Sequence, residues 1–177
     1  VLAAHLGIED HWTNFGRLTE EGPLTAISQA WEEGGRKFTN YRAGQMGTDR
    51  YRLVEAAKRA LVALEAEQPG DLLVFPAQTG RLYAGYSVRN SRAHIQRAGS
   101  PGQWPLTAYA QGWMLYANPG RLTRYEDLAI DAPGDECSFG ADDQFDDSLC
   151  FYFDGGELRF SYRSVDNAGG KFGSGSE

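Results

Sequence analysis

Little of the chemistry-bearing part of the amino-acid alphabet is present in this chain. Among 177 residues there are three histidines and two cysteines. Cys137 and Cys150 form no C-x-x-C pair, and two thiols cannot build a structural zinc site without histidine or carboxylate help. A bridge between them would close the acidic stretch that separates them, but disulfides are rare in a reducing compartment. Cys150 sits in an apolar run and reads as a small buried hydrophobe. His5, His11 and His94 stand in no H-x-x-H or H-E-x-x-H arrangement, so the zinc-hydrolase signature is missing. No G-x-S-x-G elbow occurs. The glycines at 169, 170, 173 and 175 lack the preceding strand and following helix that make a phosphate loop work.

Positive charge is also short. Twenty-four acidic residues against seventeen basic ones leave a net charge of −7, which argues against a nucleic-acid binder held by phosphate contacts. Local basic clusters exist at Arg36-Lys37 and from Arg89 to Arg97. No apolar run approaches the roughly 18 residues of a membrane span. The first residues carry no charged-then-apolar leader pattern. The expectation is a cytoplasmic protein, with Val1 in place of an initiator Met leaving the true start open.

Aromatic residues and glycine are plentiful, a mix that suits hairpins and ring packing. The chain also repeats a phrase. Pro23-Leu24-Thr25-Ala26-Ile27-Ser28-Gln29-Ala30-Trp31 returns as Pro105-Leu106-Thr107-Ala108-Tyr109-Ala110-Gln111-Gly112-Trp113, identical at six of nine positions. Each copy is followed by an apolar run, a glycine turn, an aromatic run and Ser-Val. Such self-similarity is read as an internal duplication. The expected architecture is α+β: one compact unit of two sequence-related halves, 1–88 and 89–177, each a helix packed on a β-hairpin.

Leu24, Ile27 and Trp31 share one helical face behind Pro23. Thr48 is expected to cap a long helix over 49–67, striped by Leu53, Ala57, Leu61 and Leu64. Strands at 71–76 and 81–87 make the first hairpin, and Asn90 opens a short helix through Ala98. A second helix over 106–117 is apolar nearly all round and is expected to be buried. Strand 128–130 leads into an acidic loop, 131–147. The hairpin at 149–163 alternates Phe151 and Phe153 with Leu158, Phe160 and Tyr162 around a glycine turn. From Gly169 on, glycine and serine predict a flexible tail. The expected core includes Val74, Leu82, Trp113 and Phe153 beside Leu106, Phe151, Leu158 and Phe160.

Candidate chemistry concentrates in the acidic loop, where the two halves diverge. Asp142, Asp143, Asp146 and Asp147 are the candidate binding residues. They lack the ligand order of an EF-hand, so we expect weak or no calcium binding and no metal or cofactor. His94, between Arg92 and Arg97, is the remaining candidate, as part of an anion-binding helix face. The rings of Trp12, Trp31, Trp104, Tyr109, Trp113 and Tyr116 cluster around the two phrases. At helical spacing they are expected to pack in the core, although exposed rings would stack on planar ligands.

One stretch resembles an actinobacterial domain family of unknown function. It runs from Thr79-Gly80-Arg81 through Pro105-Leu106-Thr107 to Gly112 and Leu115, then through Gly134-Asp135 to the final glycine-aromatic hairpin. That family's tryptophan-rich ending is replaced here by Phe160, Tyr162 and Phe172. The resemblance covers just over half the chain and implies no activity.

The functional expectation is a non-catalytic binding or structural protein. It acts through protein–protein contacts, with a second copy of itself among the candidate partners. The hairpin 149–163 motivates self-association, because a strand near a chain end easily finishes as a sheet edge. The alternative is a small hydrolase or transferase that uses His94 and a carboxylate between the halves.

Overall fold

The structure, a computed structural model, describes residues 2–68, 70, 73–97, 103–140 and 144–176. The fold is α+β. Helices α1 (Leu2–His5) and α2 (Phe15–Thr19) open the chain. A π-helical turn, Glu20–Leu24, joins α2 to α3 (Thr25–Glu33). Pro23 explains that turn. It has no N–H to continue the α-helical ladder, and widening the helix accommodates it. Thr25 donates its hydroxyl to Glu20 O at 2.9 Å across the turn.

Next come β1 (Lys37–Asn40), β2 (Tyr51–Leu53) and α4 (Glu55–Glu67). A 3-10 turn at Arg81–Tyr83 precedes α5 (Val88–Arg97) and α6 (Ala108–Ala117). The remaining strands are β3 (Ala129–Asp131), β4 (Asp135–Cys137), β5 (Asp147–Asp154), β6 (Glu157–Ser164) and β7 (Phe172–Ser174). Among the described residues, seven strands form one mixed sheet in the order β1-β6-β5-β3-β7, with β4 pairing β5 and β2 pairing β4. Trp31, Ile27, Leu115, Phe151, Leu158 and Phe160 are fully buried between the helices and the sheet. Gly112 lets α6 close onto the π turn, because a Cβ there would stand 2.7 Å from Pro23 Cβ.

Several expectations are corrected. The repeated phrase takes two different structures. Its first copy lies inside a helix already running from Phe15, whereas its second is a true helix start, with Thr107 Oγ1 accepting from Ala110 N at 3.3 Å. Trp31 is buried and Trp113 is only half-buried. No strand forms over the described residues of 73–88 apart from a single bridge at Gln78; the second arm is a 3-10 turn running into α5. Val74 and Leu82, expected in the core, are 73% and 62% exposed, while Phe153 is half-buried. The two halves therefore do not each present a helix on a hairpin.

Helix α4 starts at Glu55, because Tyr51–Leu53 pairs with β4 instead. The outer side of the hairpin β5–β6 is half covered: β1 runs parallel along β6 from Lys37↔Glu157 to Asn40↔Phe160, and residues 161–164 of β6 pair with β5 alone among the described strands. The glycine-serine tail is not loose either. Phe172–Ser174 pairs parallel with β3, and Ser176 bridges both Gln78 and Pro105. Glycine serves close backbone approach here. A Cβ on Gly80 would lie 2.5 Å from Gly173 O, and Gly80 holds φ +92°, a region L side chains avoid.

Candidate binding surface

The described residues of the segment 131–147 are folded, and several of their carboxylates are interior. Asp131 and Asp135 are fully buried in β3 and β4, and Asp147 is buried at the start of β5. Asp146 is exposed, while Asp142 and Asp143 lie outside the described residues. Among the described residues, no group of histidine, cysteine or carboxylates could hold a metal ion. His94 is exposed on α5, edge-on to Tyr86 with ring centroids 5.1 Å apart. No hydrogen bond or ion pair joins it to a carboxylate of the described residues. The five candidate residues thus do not form one site among the described residues. Cys137 and Cys150 are buried free thiols, and burial pushes both up from their ordinary pKa.

The buried carboxylates hold α6 in place. Asp135 accepts from Tyr51 Oη and from the α6 amide Ala108 N, each at 2.5 Å. Anions are favoured at a helix start. The guanidinium of Arg92 closes the bend beside Asp135 by donating to the carbonyls of Pro133 (2.8 Å) and Asp135 (2.6 Å). Burial nevertheless dominates and raises the Asp135 carboxyl to about 7, against the lowering pull of Tyr51 and Ala108. Asp131 pairs with Arg163 at 3.2 Å. Burial again outweighs the partner and lifts that carboxyl to about 6. Arg163 also lies 4.0 Å from the Phe172 ring centroid, tying β6 to β7. Gln111, fully buried in α6, donates to Asp131 O at 2.8 Å.

What these anchors present outward is aromatic. Tyr109, Trp113 and Tyr116 sit at i, i+4 and i+7 on α6, one helical face. Centroid separations run His11–Trp12 4.6 Å, Trp12–Phe15 5.9 Å, Phe15–Tyr109 5.3 Å, Tyr109–Trp113 6.2 Å and Trp113–Tyr116 5.8 Å. The result is a chain of six rings in contact across the N-terminal segment and α6, a ridge that dips below the surface at Phe15. Phe15 is buried, the middle rings are half-buried, and Tyr116 is 46% exposed. Burial raises the Tyr109 phenol. Sequence reasoning placed these rings in the core because helical spacing alone does not tell a core stripe from a surface one. The signal it passed over is that Tyr109, Trp113 and Tyr116 line up on a face of α6 distinct from Ala108, Gln111, Gly112 and Leu115, which are buried.

The described surface also holds two cavities. One, about 600 Å³ and open, is lined by Thr79, Met114 and the turn Ala117–Arg121. Its arginine is committed, since Arg121 donates to Thr79 O at 2.9 Å. The other, about 190 Å³, lies between the π turn and β1, with Glu20, Ser28 and Asn40 in its wall. Partial burial raises Glu20, although Gly44 N donates to it at 2.7 Å. Among the described residues, no helix is long and apolar enough to cross a membrane.

No protein-family model, curated protein or solved structure matches this chain. The resemblance of the second half to an actinobacterial family therefore rests on the residues quoted for it alone.

Proposed function

We propose that this is a non-catalytic binding protein that acts through protein–protein contacts, and that the aromatic ridge is its contact surface. The ridge is the observation that carries this reading. Tryptophan and tyrosine dominate contact energetics because they bury much area at little entropic cost. Here they stand on a helix fixed from below by Thr107, Asp135 and Gln111. Such preorganisation reduces what association must spend on ordering side chains. The edge expected for self-association is taken by β1 over residues 157–160 of β6 and left open over 161–164. A second copy remains one candidate occupant of the ridge. The hydrolase alternative gains nothing from His94, which is exposed and meets no described carboxylate.

Site-directed photo-crosslinking tests this reading. A photoreactive phenylalanine replaces Tyr116 in one sample and the somewhat more exposed Tyr125 in another, within the native cell extract. The reading expects discrete protein adducts from position 116 only, and adduct mass separates a second copy from another partner. Equal labelling from both positions, or none from 116, contradicts it.

A further inference from the structure

We propose that the ridge receives a basic segment of its partner, one that lays arginine or lysine side chains on the rings; this rests on the binding reading above. Three observations carry it.

First, the chain itself repeatedly seats cations on rings, but never here. Arg36 covers Trp31, Arg52 covers Phe145, Arg163 covers Phe172 and Lys171 covers Tyr125, with centroid distances of 4.2, 4.0, 4.0 and 3.2 Å. Arg42 and Arg159 make similar contacts. Among the described residues, no cation of the chain lies over Trp12, Tyr109, Trp113 or Tyr116. The ridge rings are left without the cation that seven other rings of the fold carry.

Second, the border of the ridge is acidic. Glu9 and Asp10 directly precede His11 and Trp12, are exposed, and make no ion pair among the described residues. Glu65 lies 3.7 Å from His11. The N-terminal segment that carries Trp12 and Phe15 has one arginine among residues 1–33, Arg17. That arginine is spent on Glu21 at 2.6 Å. Third, α6 itself has no charged residue, so its part of the ridge carries no cation to repel another. Cation–π contacts and an acidic rim act together, the rim steering the approach and the rings holding the side chain. The same field disfavours nucleic acid.

Calorimetric titration uses two synthetic nonapeptides, identical except that three arginines in one are citrulline, its uncharged analogue, in the other. The proteins are the parent chain, Trp113→Leu and the milder Tyr116→Ser, each checked for an unchanged unfolding midpoint. The expected result is at least tenfold weaker binding of the citrulline peptide by the parent. Loss of at least tenfold in arginine-peptide affinity is expected in Trp113→Leu, with a smaller loss in Tyr116→Ser. Equal binding of both peptides, lost in Trp113→Leu, overturns the basic-segment proposal and leaves the contact surface standing. Arginine-peptide binding that neither variant weakens overturns both. Absence of binding by either peptide up to millimolar concentration overturns the basic-segment proposal.

Discussion

The buried carboxylates make stability fall as pH rises toward neutrality, and the fall can be worked out. Asp135 moves from an ordinary value of 3.8 to about 7 on folding, and Asp131 from 3.8 to about 6. In both cases the folded chain keeps a proton that the unfolded chain has already lost. Unfolding then releases protons, so stability is fully present below the unfolded value and is lost as pH passes the folded value. Between pH 5 and pH 7 the loss is about 2 kcal/mol from Asp135 and about 1 from Asp131, roughly 3 in all. Asp135 gives the larger share because no cation touches its carboxylate: the Arg92 guanidinium goes to main-chain carbonyls and to Glu136. Asp131 has Arg163 against it.

Urea unfolding followed by tryptophan fluorescence at pH 5 and pH 7 reads this directly, since Trp31 and Trp104 are buried reporters. Asp135→Asn removes the titrating group and keeps its shape. The amide oxygen must then serve both Tyr51 and Ala108, which costs about 1–2 kcal/mol at pH 5. The variant's loss between pH 5 and pH 7 shrinks to about 1 kcal/mol, the part left to Asp131. Parent stability that is flat or rises from pH 5 to 7, or a slope the variant leaves unchanged, refutes the reasoning.

Gly173→Ala places a methyl group against the backbone of Gly80 and is expected to cost about 3 kcal/mol in urea unfolding; a cost below about 0.5 kcal/mol contradicts a structural tail. A thiol reagent is expected to find no reactive cysteine in the folded chain and two after unfolding without reductant, because Cys137 and Cys150 are buried and unbridged; rapid labelling of the native protein contradicts this.

Two elements of the second half were legible. The final hairpin announced itself through period-two aromatics around Gly155-Gly156, and β5 and β6 follow it closely. The helix over 106–117 was equally clear, with Thr107 as its cap. The errors share a physical cause: the deciding partner is remote in sequence. Phe172–Ser174 is a strand only because β3 lies beside it, and Gly80 must approach Gly173 from some 90 residues away. Tyr51–Leu53 continues a helical pattern, but Asp135–Cys137 captures it as a strand. Asp131 and Asp135 look like solvated loop charge until Arg163, Tyr51 and the amide of Ala108 are placed around them.

The site was less legible than the fold. Four aspartates and His94 were singled out for their charge; of the described ones, Asp146 and Asp147 lie at the start of β5 and His94 is exposed on α5. The ridge was written in the sequence at 109, 113 and 116. Its exposure depends on which face of α6 the sheet claims, and that choice belongs to packing.

Fluorine NMR of protein labelled with 5-fluorotryptophan tests the ridge most directly, because the four tryptophans give four resonances. Two, Trp12 and Trp113, belong to the ridge, while Trp31 and Trp104 are buried in the core. Titration with the arginine and citrulline nonapeptides is expected to shift the Trp12 and Trp113 resonances and leave Trp31 and Trp104 in place. A peptide that binds without moving either ridge resonance, or that moves only the core pair, contradicts the account.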